Sequence, residues 1–210
     1  MSALRQRYER CMAQPVLRDF VASGGRIFIA CEQRAPEAIA ELITAGHRHF
    51  AEKFLQEAAA KWPALRHLAP DLVLHDFGRL QSNKVAGAAA LFDAIESIDR
   101  ESLLPLLCQA RPIPLYLQIN VGREAQKGGV APEQAEALLD AFRHKLDRAP
   151  AGVMAIPPKH DDPRPHFRWL RRFMERHALA ECMMGMSGDY QIAIDEGATM
   201  IRLGRAVFGK

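Results

Sequence analysis

Three short stretches carry residue types that can do chemistry. The first, FIACEQRAPEAI at 28–39, is an apolar run that leaves through Cys31, Glu32, Gln33 and Arg34 into a helix opened by Pro36. A carboxylate at such an exit can act as acid or base, or hold a cation. The second, FAEKFLQE at 50–57, sets Lys53 just past another apolar pair, where an ammonium can serve as an electrophilic group or a neutral amine as an imine nitrogen. The third joins MGMSGDY at 184–190 to RLGRAVFGK at 202–210. There Ser187 offers a hydroxyl, and the amides opening the next helix point outward with the positive end of the helix dipole behind them. Gly204 lets backbone approach an anion, with Arg205 just beyond it. Taken singly, Ser187 or Asp189 reads as a helix cap and Gly204 as a turn glycine.

These groups meet only if the elements between them bring them to one place. Strand-type segments fall at 26–30, 47–50, 72–77, 92–98, 114–121, 152–156, 182–186 and 199–203, and each is followed by a helical pattern or, last, by a short tail. Apolar strands alternating with helices imply parallel strands covered by helices. Eight such units in 210 residues predict an α/β fold, a compact (β/α)8 TIM-type barrel, as a single domain spanning 1–210. Residues 1–24 form an N-terminal helix that packs on the barrel, with Pro15 as its natural break. Active sites of such barrels lie at the C-terminal strand ends, so the residues to inspect are Glu32, Lys53, 78–84, 120–129, Pro157, Ser187 and Gly204. Phosphate sites of many barrels follow strands 7 and 8 beside a short extra helix, and the turns at Ser187 and Gly204 occupy that place together.

Composition narrows the partners. The formal charge is +3, seven of the basic residues are lysine, and no basic stripe is interleaved with aromatics, so nucleic acid is not an expected partner. Cys11, Cys31, Cys108 and Cys182 are far apart and lack C-x-x-C spacing, which predicts reduced thiols in a cytoplasmic protein and no zinc. No apolar run reaches membrane-spanning length and the N-terminus lacks a signal-peptide core, so no membrane association is expected. His47, His49, His160 and His166 do not sit at metal-ligand spacing, and the proline-rich KHDDPRPH at 159–166 reads as a surface loop.

Five stretches occur in a telling order: FGRLQSNK (77–84), QINVGREAQKGG (118–129), GVMAIPP (152–158), MGMSGDYQIAIDEGATMIRLG (184–204) and FG (208–209). Together they resemble the pyridoxal-phosphate homeostasis proteins, whose fold is the barrel of the alanine racemase N-terminal domain. The resemblance implies binding of pyridoxal 5′-phosphate (PLP). It places phosphate contacts at Ser187, Gly204 and Arg205, where Arg205 departs from the usual Thr or Ser. It sets Arg202 against the pyridine nitrogen, and His75, Asn83, Met154 and Met186 around the cofactor.

One departure is larger. The family typically reads A-V-S-K-T-K-P after its first strand, and the first lysine forms the imine with PLP. That position here is Glu32, which cannot form one. The family's F-G-E-N-Y-V-Q-E reads FAEKFLQE, with Lys53 in place of the Asn. Three arrangements are open: Lys53, the one relocated candidate, carries the imine; Glu32 and Lys53 form an ion pair and PLP binds noncovalently; or the cavity is vestigial and Lys53 is a solvated surface lysine. The resemblance implies a noncatalytic PLP-binding protein of vitamin B6 homeostasis that takes a small phosphorylated ligand as a monomer or weak dimer. Alternatives are an enzyme that uses Glu32 and Lys53 on a phosphorylated substrate, and a vestigial binder acting through protein contacts. Racemase activity is not expected: it needs a second acid/base from a separate C-terminal domain, and this sequence ends with its barrel.

Overall fold

The computed structural model describes residues 1–209. The apolar segments form β1 (Arg26–Ala30), β2 (His49–Glu52), β3 (Val73–Asp76), β4 (Ala94–Ile98), β5 (Leu115–Gln118), β6 (Gly152–Met154), β7 (Glu181–Met183) and β8 (Met200–Leu203). All eight pair in parallel and close in chain order, with β1 bonded to β8 through the register Ile29↔Leu203. The (β/α)8 barrel expected from the alternation is the observed fold.

Alternation along each strand divides the core in two. Phe28, Ala51, Ala94, Tyr116, Met154, Met183 and Met200 form one buried cluster that fills the barrel. The intervening residues, among them Ile29, Leu74, Leu117 and Ile201, pack outward with Leu42, Trp62, Leu139 and Phe167 of the helical ring. Burying a large apolar side chain contributes about 1.5–3 kcal/mol, so these two layers drive closure.

Helices α1 (Ala3–Met12) and α2 (Pro15–Ala22) precede the barrel and break where Pro15 starts a new helix. Then follow α3 (Pro36–Thr44), α4 (Leu55–Leu65), α5 (Val85–Leu91), α6 (Leu104–Cys108), α7 (Ala135–Leu146), α8 (Arg164–Arg176), α9 (Tyr190–Asp195) and α10 (Arg205–Phe208). α4 runs through Pro63, because Trp62 and Leu65 are buried and hold its last turn on the core. β2 begins two residues later than its apolar pattern suggests, since His47 is turned aside to bond Tyr8 and the His49 carbonyl. α1 braces α10: Arg7 Nη1 donates to the Phe208 carbonyl at 2.5 Å. Among the described residues no helix is long and apolar enough to cross a membrane.

Candidate functional site

A cavity of about 780 Å³ opens at the C-terminal strand ends. Glu32, Pro157, Met186, Ser187, Asp189, Arg202, Gly204 and Arg205, all singled out in the sequence, line it together. Five cationic side chains (Arg34, Lys127, Lys159, Arg202 and Arg205) and three carboxylates (Glu32, Asp161 and Asp189) face it.

The cradle is built by the exits of β7 and β8. Gly185 adopts φ +94°, and a Cβ there would meet the Ala193 Cβ at 2.5 Å, so only glycine lets the chain turn in beneath α9. Asp189 Oδ1 accepts from the Met186 amide at 2.6 Å and closes that turn. Burial raises the Asp189 carboxyl above its usual range. Ser187 Oγ accepts from the amides of Gly204 (3.2 Å) and Ala206 (3.1 Å), which ties the two exits together. A hydroxyl has two acceptor sites and one donor, so its O–H is left to donate to an anion. The amides of Ser187, Gly188 and Arg205 have no protein acceptor among the described residues. Three free amides and a hydroxyl make an anion-binding concavity.

A buried polar row forms the floor. Arg202, 5% exposed, pairs through Nη2 with Glu96 Oε2, and Glu96 Oε1 meets His75 Nδ1 at 2.6 Å. Burial pushes the Glu96 carboxyl up, but Arg202 and His75 outweigh it and hold the group below its usual range. The guanidinium lies 4.1 Å from the centre of the Phe77 ring. Its Nε is buried without a partner among the described residues, so a donor remains for a ligand atom.

The β1 exit is pinned from outside. Lys61 Nζ donates to the Cys31 carbonyl (2.8 Å) and the Arg34 carbonyl (3.3 Å), and Gln33, at φ 59°, donates its amide to Glu57 Oε1 at 2.6 Å. Lys61 is in turn fixed by Glu52 and Glu57, each at 2.7 Å. That bracing presents Glu32 to the cavity, where its Oε2 is buried and has no partner among the described residues.

Lys53 requires a correction. Two of the three arrangements put it in the cavity beside Glu32, but it is exposed, absent from the lining, and 5.5 Å from the Phe54 ring centre, as the solvated-surface alternative has it. No ion pair joins it to Glu32 among the described residues. β2 ends at Glu52 and the chain bends there, with Gly78 packed so tightly on the Lys53 carbonyl that a Cβ would lie 1.8 Å from it. Among the described residues the amines that do line the cavity are Lys127, which lies in the 120–129 exit that the strand ends pointed to, and Lys159, which they did not. Lys127 Nζ donates to the Pro157 carbonyl at 2.7 Å and pairs with Glu124, bridging the loops after β5 and β6. The segment read as a mere surface loop contributes Lys159, Asp161 and Pro163 to the wall. Its prolines marked a loop but not its direction.

Three other residues lie apart from the lining. His75 sits within the barrel behind Glu96, Met154 is packed in the barrel-filling cluster, and Asn83 is exposed on a 3-10 turn (Ser82–Lys84) beside a separate depression with Arg79 and Arg100. Among the described residues no three His, Cys, Asp or Glu side chains gather to hold a metal ion.

Comparison with known proteins bears on the family and the fold. The family model for the alanine racemase N-terminal domain matches residues 30–210. The pyridoxal phosphate homeostasis protein of Pseudomonas aeruginosa is 37% identical over 207 residues, covering 94% of this chain and 88% of that one. That of Aquifex aeolicus is 37% identical over 190 residues, covering 83% and 82%. The structure of PipY from Synechococcus elongatus with PLP bound is 30% identical, superposes with a TM-score of 0.83, and is matched over 98% of this chain and 100% of its own.

Proposed function

The chain belongs to the family of pyridoxal phosphate homeostasis proteins, built on the alanine racemase N-terminal domain, and from that membership we propose that it is a noncatalytic PLP binder that holds its ligand without a covalent bond. The observation that carries this reading is the cradle: the Ser187 hydroxyl tied to the Gly204 and Ala206 amides, with free amides around it. The residues fit the ligand. Ser187, the Gly188 and Arg205 amides and the Arg205 side chain hold the phosphate. The unpartnered Arg202 Nε would be the donor offered to the ring, and Arg202 stays protonated because a guanidinium does not titrate near neutrality. A cation fixed there keeps a pyridine nitrogen unprotonated, which suits storage and transfer rather than reaction. The bound group supplies a dianion and an aromatic ring. Glu32 stands where the family's lysine would bond to it, Lys53 faces away, and Lys127 is engaged by Pro157 and Glu124. Four free cysteines suit a reducing cytoplasm.

Ser187→Asp tests the cradle. The new carboxylate takes the same amides and repels the phosphate. Two charges about 4 Å apart interact by roughly 4 kcal/mol at an effective dielectric near 20, so affinity for PLP should fall at least a hundredfold with the circular dichroism unchanged. Unchanged affinity in a folded variant removes the phosphate from this position.

A further inference from the structure

Glu32 lines the cavity with a carboxylate that the phosphate and ring contacts leave unused. Its turn is not loose: Lys61, itself buried, holds the carbonyls on either side, and Glu57 holds the Gln33 amide. The side chain has nevertheless found no cation. Arg34 and Arg205 line the same cavity, yet Glu32 enters no ion pair among the described residues. Arg34 lies instead over the Phe208 ring at 4.8 Å. A buried carboxylate oxygen without a donor is unfavourable, and a ligand that brings one gains by satisfying it.

The position sets what the ligand must be. β1 pairs with β8, and a Cβ on Gly204 would lie 3.7 Å from the Ala30 Cβ, so Glu32 leaves its strand beside the phosphate cradle. One ligand then meets an anion site and a carboxylate at adjacent strand exits. Its fitting chemistry is a phosphate at one end and an ammonium at the other. An aldehyde presents only an acceptor to a carboxylate, whereas an aminomethyl group is protonated near neutrality and presents charge-assisted donors. We propose that Glu32 makes this cavity select the aminomethyl form of the vitamin phosphate, pyridoxamine 5′-phosphate, over the aldehyde form, PLP. The proposal rests on the reading of the cavity as a B6-phosphate site and adds a specificity-determining residue to it.

Three ligands separate the possibilities: pyridoxamine 5′-phosphate, PLP, and 4-deoxypyridoxine 5′-phosphate, which carries a methyl group in place of the aminomethyl group. Isothermal titration of the full chain near neutral pH should rank the amine first, about tenfold or more tighter than either of the others. Glu32→Gln should bring the three affinities within about threefold of one another. Equal or tighter binding of PLP or of the deoxy compound overturns the selection and leaves the phosphate site standing. Binding of none of the three overturns the underlying reading as well. If Glu32→Gln does not fold, the ranking by the unaltered protein decides the matter alone.

Discussion

At the scale of single residues, the account turns on an exchange of chemistry at the first strand exit. An amine there can bond to a carbonyl, and a carboxylate cannot. Glu32 faces the cavity and Lys53 does not, so no lysine at the first two strand exits is placed to attach the ligand. The variant Glu32→Lys should regain that bond. After incubation with one equivalent of PLP and borohydride reduction, its mass should rise by one reduced adduct mapped to position 32. The unaltered protein should show no adduct at Lys53. An adduct at Lys53 in the unaltered protein contradicts the orientation described here. The exchange itself was legible in the sequence through the resemblance, which sets Glu32 at the family's lysine position. The direction of Lys53 was not. Strand alternation predicts that it faces inward, but the strand ends one residue earlier and the chain bends at Lys53, where Gly78 packs on its carbonyl.

At the scale of elements, β1 and α4 act as a pair. Lys61 reaches from α4 to the β1 exit and to Glu52 on β2, which also accepts from Trp62 Nε1 at 3.0 Å. Burial raises the Glu52 carboxyl despite the Lys61 and Trp62 bonds. Removing one member of such a buried pair leaves an uncompensated charge and typically costs ~3–5 kcal/mol. Lys61→Met should therefore lose about that much in urea unfolding, and Glu52→Gln with Lys61→Met should recover much of it. A loss under ~1 kcal/mol in the single variant shows that Lys61 does not brace the turn. The strands themselves were readable from apolar runs bounded by turn residues, and β1 lies where RIFIA predicts it. The strand-end rule also pointed to 120–129 and Pro157, but not to how far the loops beyond them reach over the cavity. The loops after β5 and β6 carry Lys127, Lys159 and Asp161 inward through tertiary contacts such as Lys127 to Pro157, which no local pattern encodes.

At the scale of the whole molecule, buried ionisable groups give stability a pH dependence. Burial pushes the Asp76 carboxyl from 3.8 up to about 8. Between those values the folded chain keeps a proton that the unfolded chain has released. This contribution is full below 3.8, declines as pH rises toward about 8, and is flat above. Measured against Asp76→Asn, the relative stability of the unaltered protein should fall from pH 5 to pH 8, by at most ~1.4 kcal/mol per pH unit. A flat difference contradicts the burial of an ionisable Asp76. Glu96 contributes the opposite trend, since its lowered value yields stability that is lost as pH falls, and the comparison cancels it. The barrel thus carries a charged row under its mouth and an anion cradle at its rim, and the central claim is that the rim holds a phosphate.

The most direct measurement compares PLP with pyridoxal, which differs only by the phosphate, in calorimetric titration of the full chain. Saturable binding of one PLP per chain, at least a hundredfold tighter than pyridoxal, is the result predicted here. Equal affinities for the two, or no saturable binding of PLP, would contradict it.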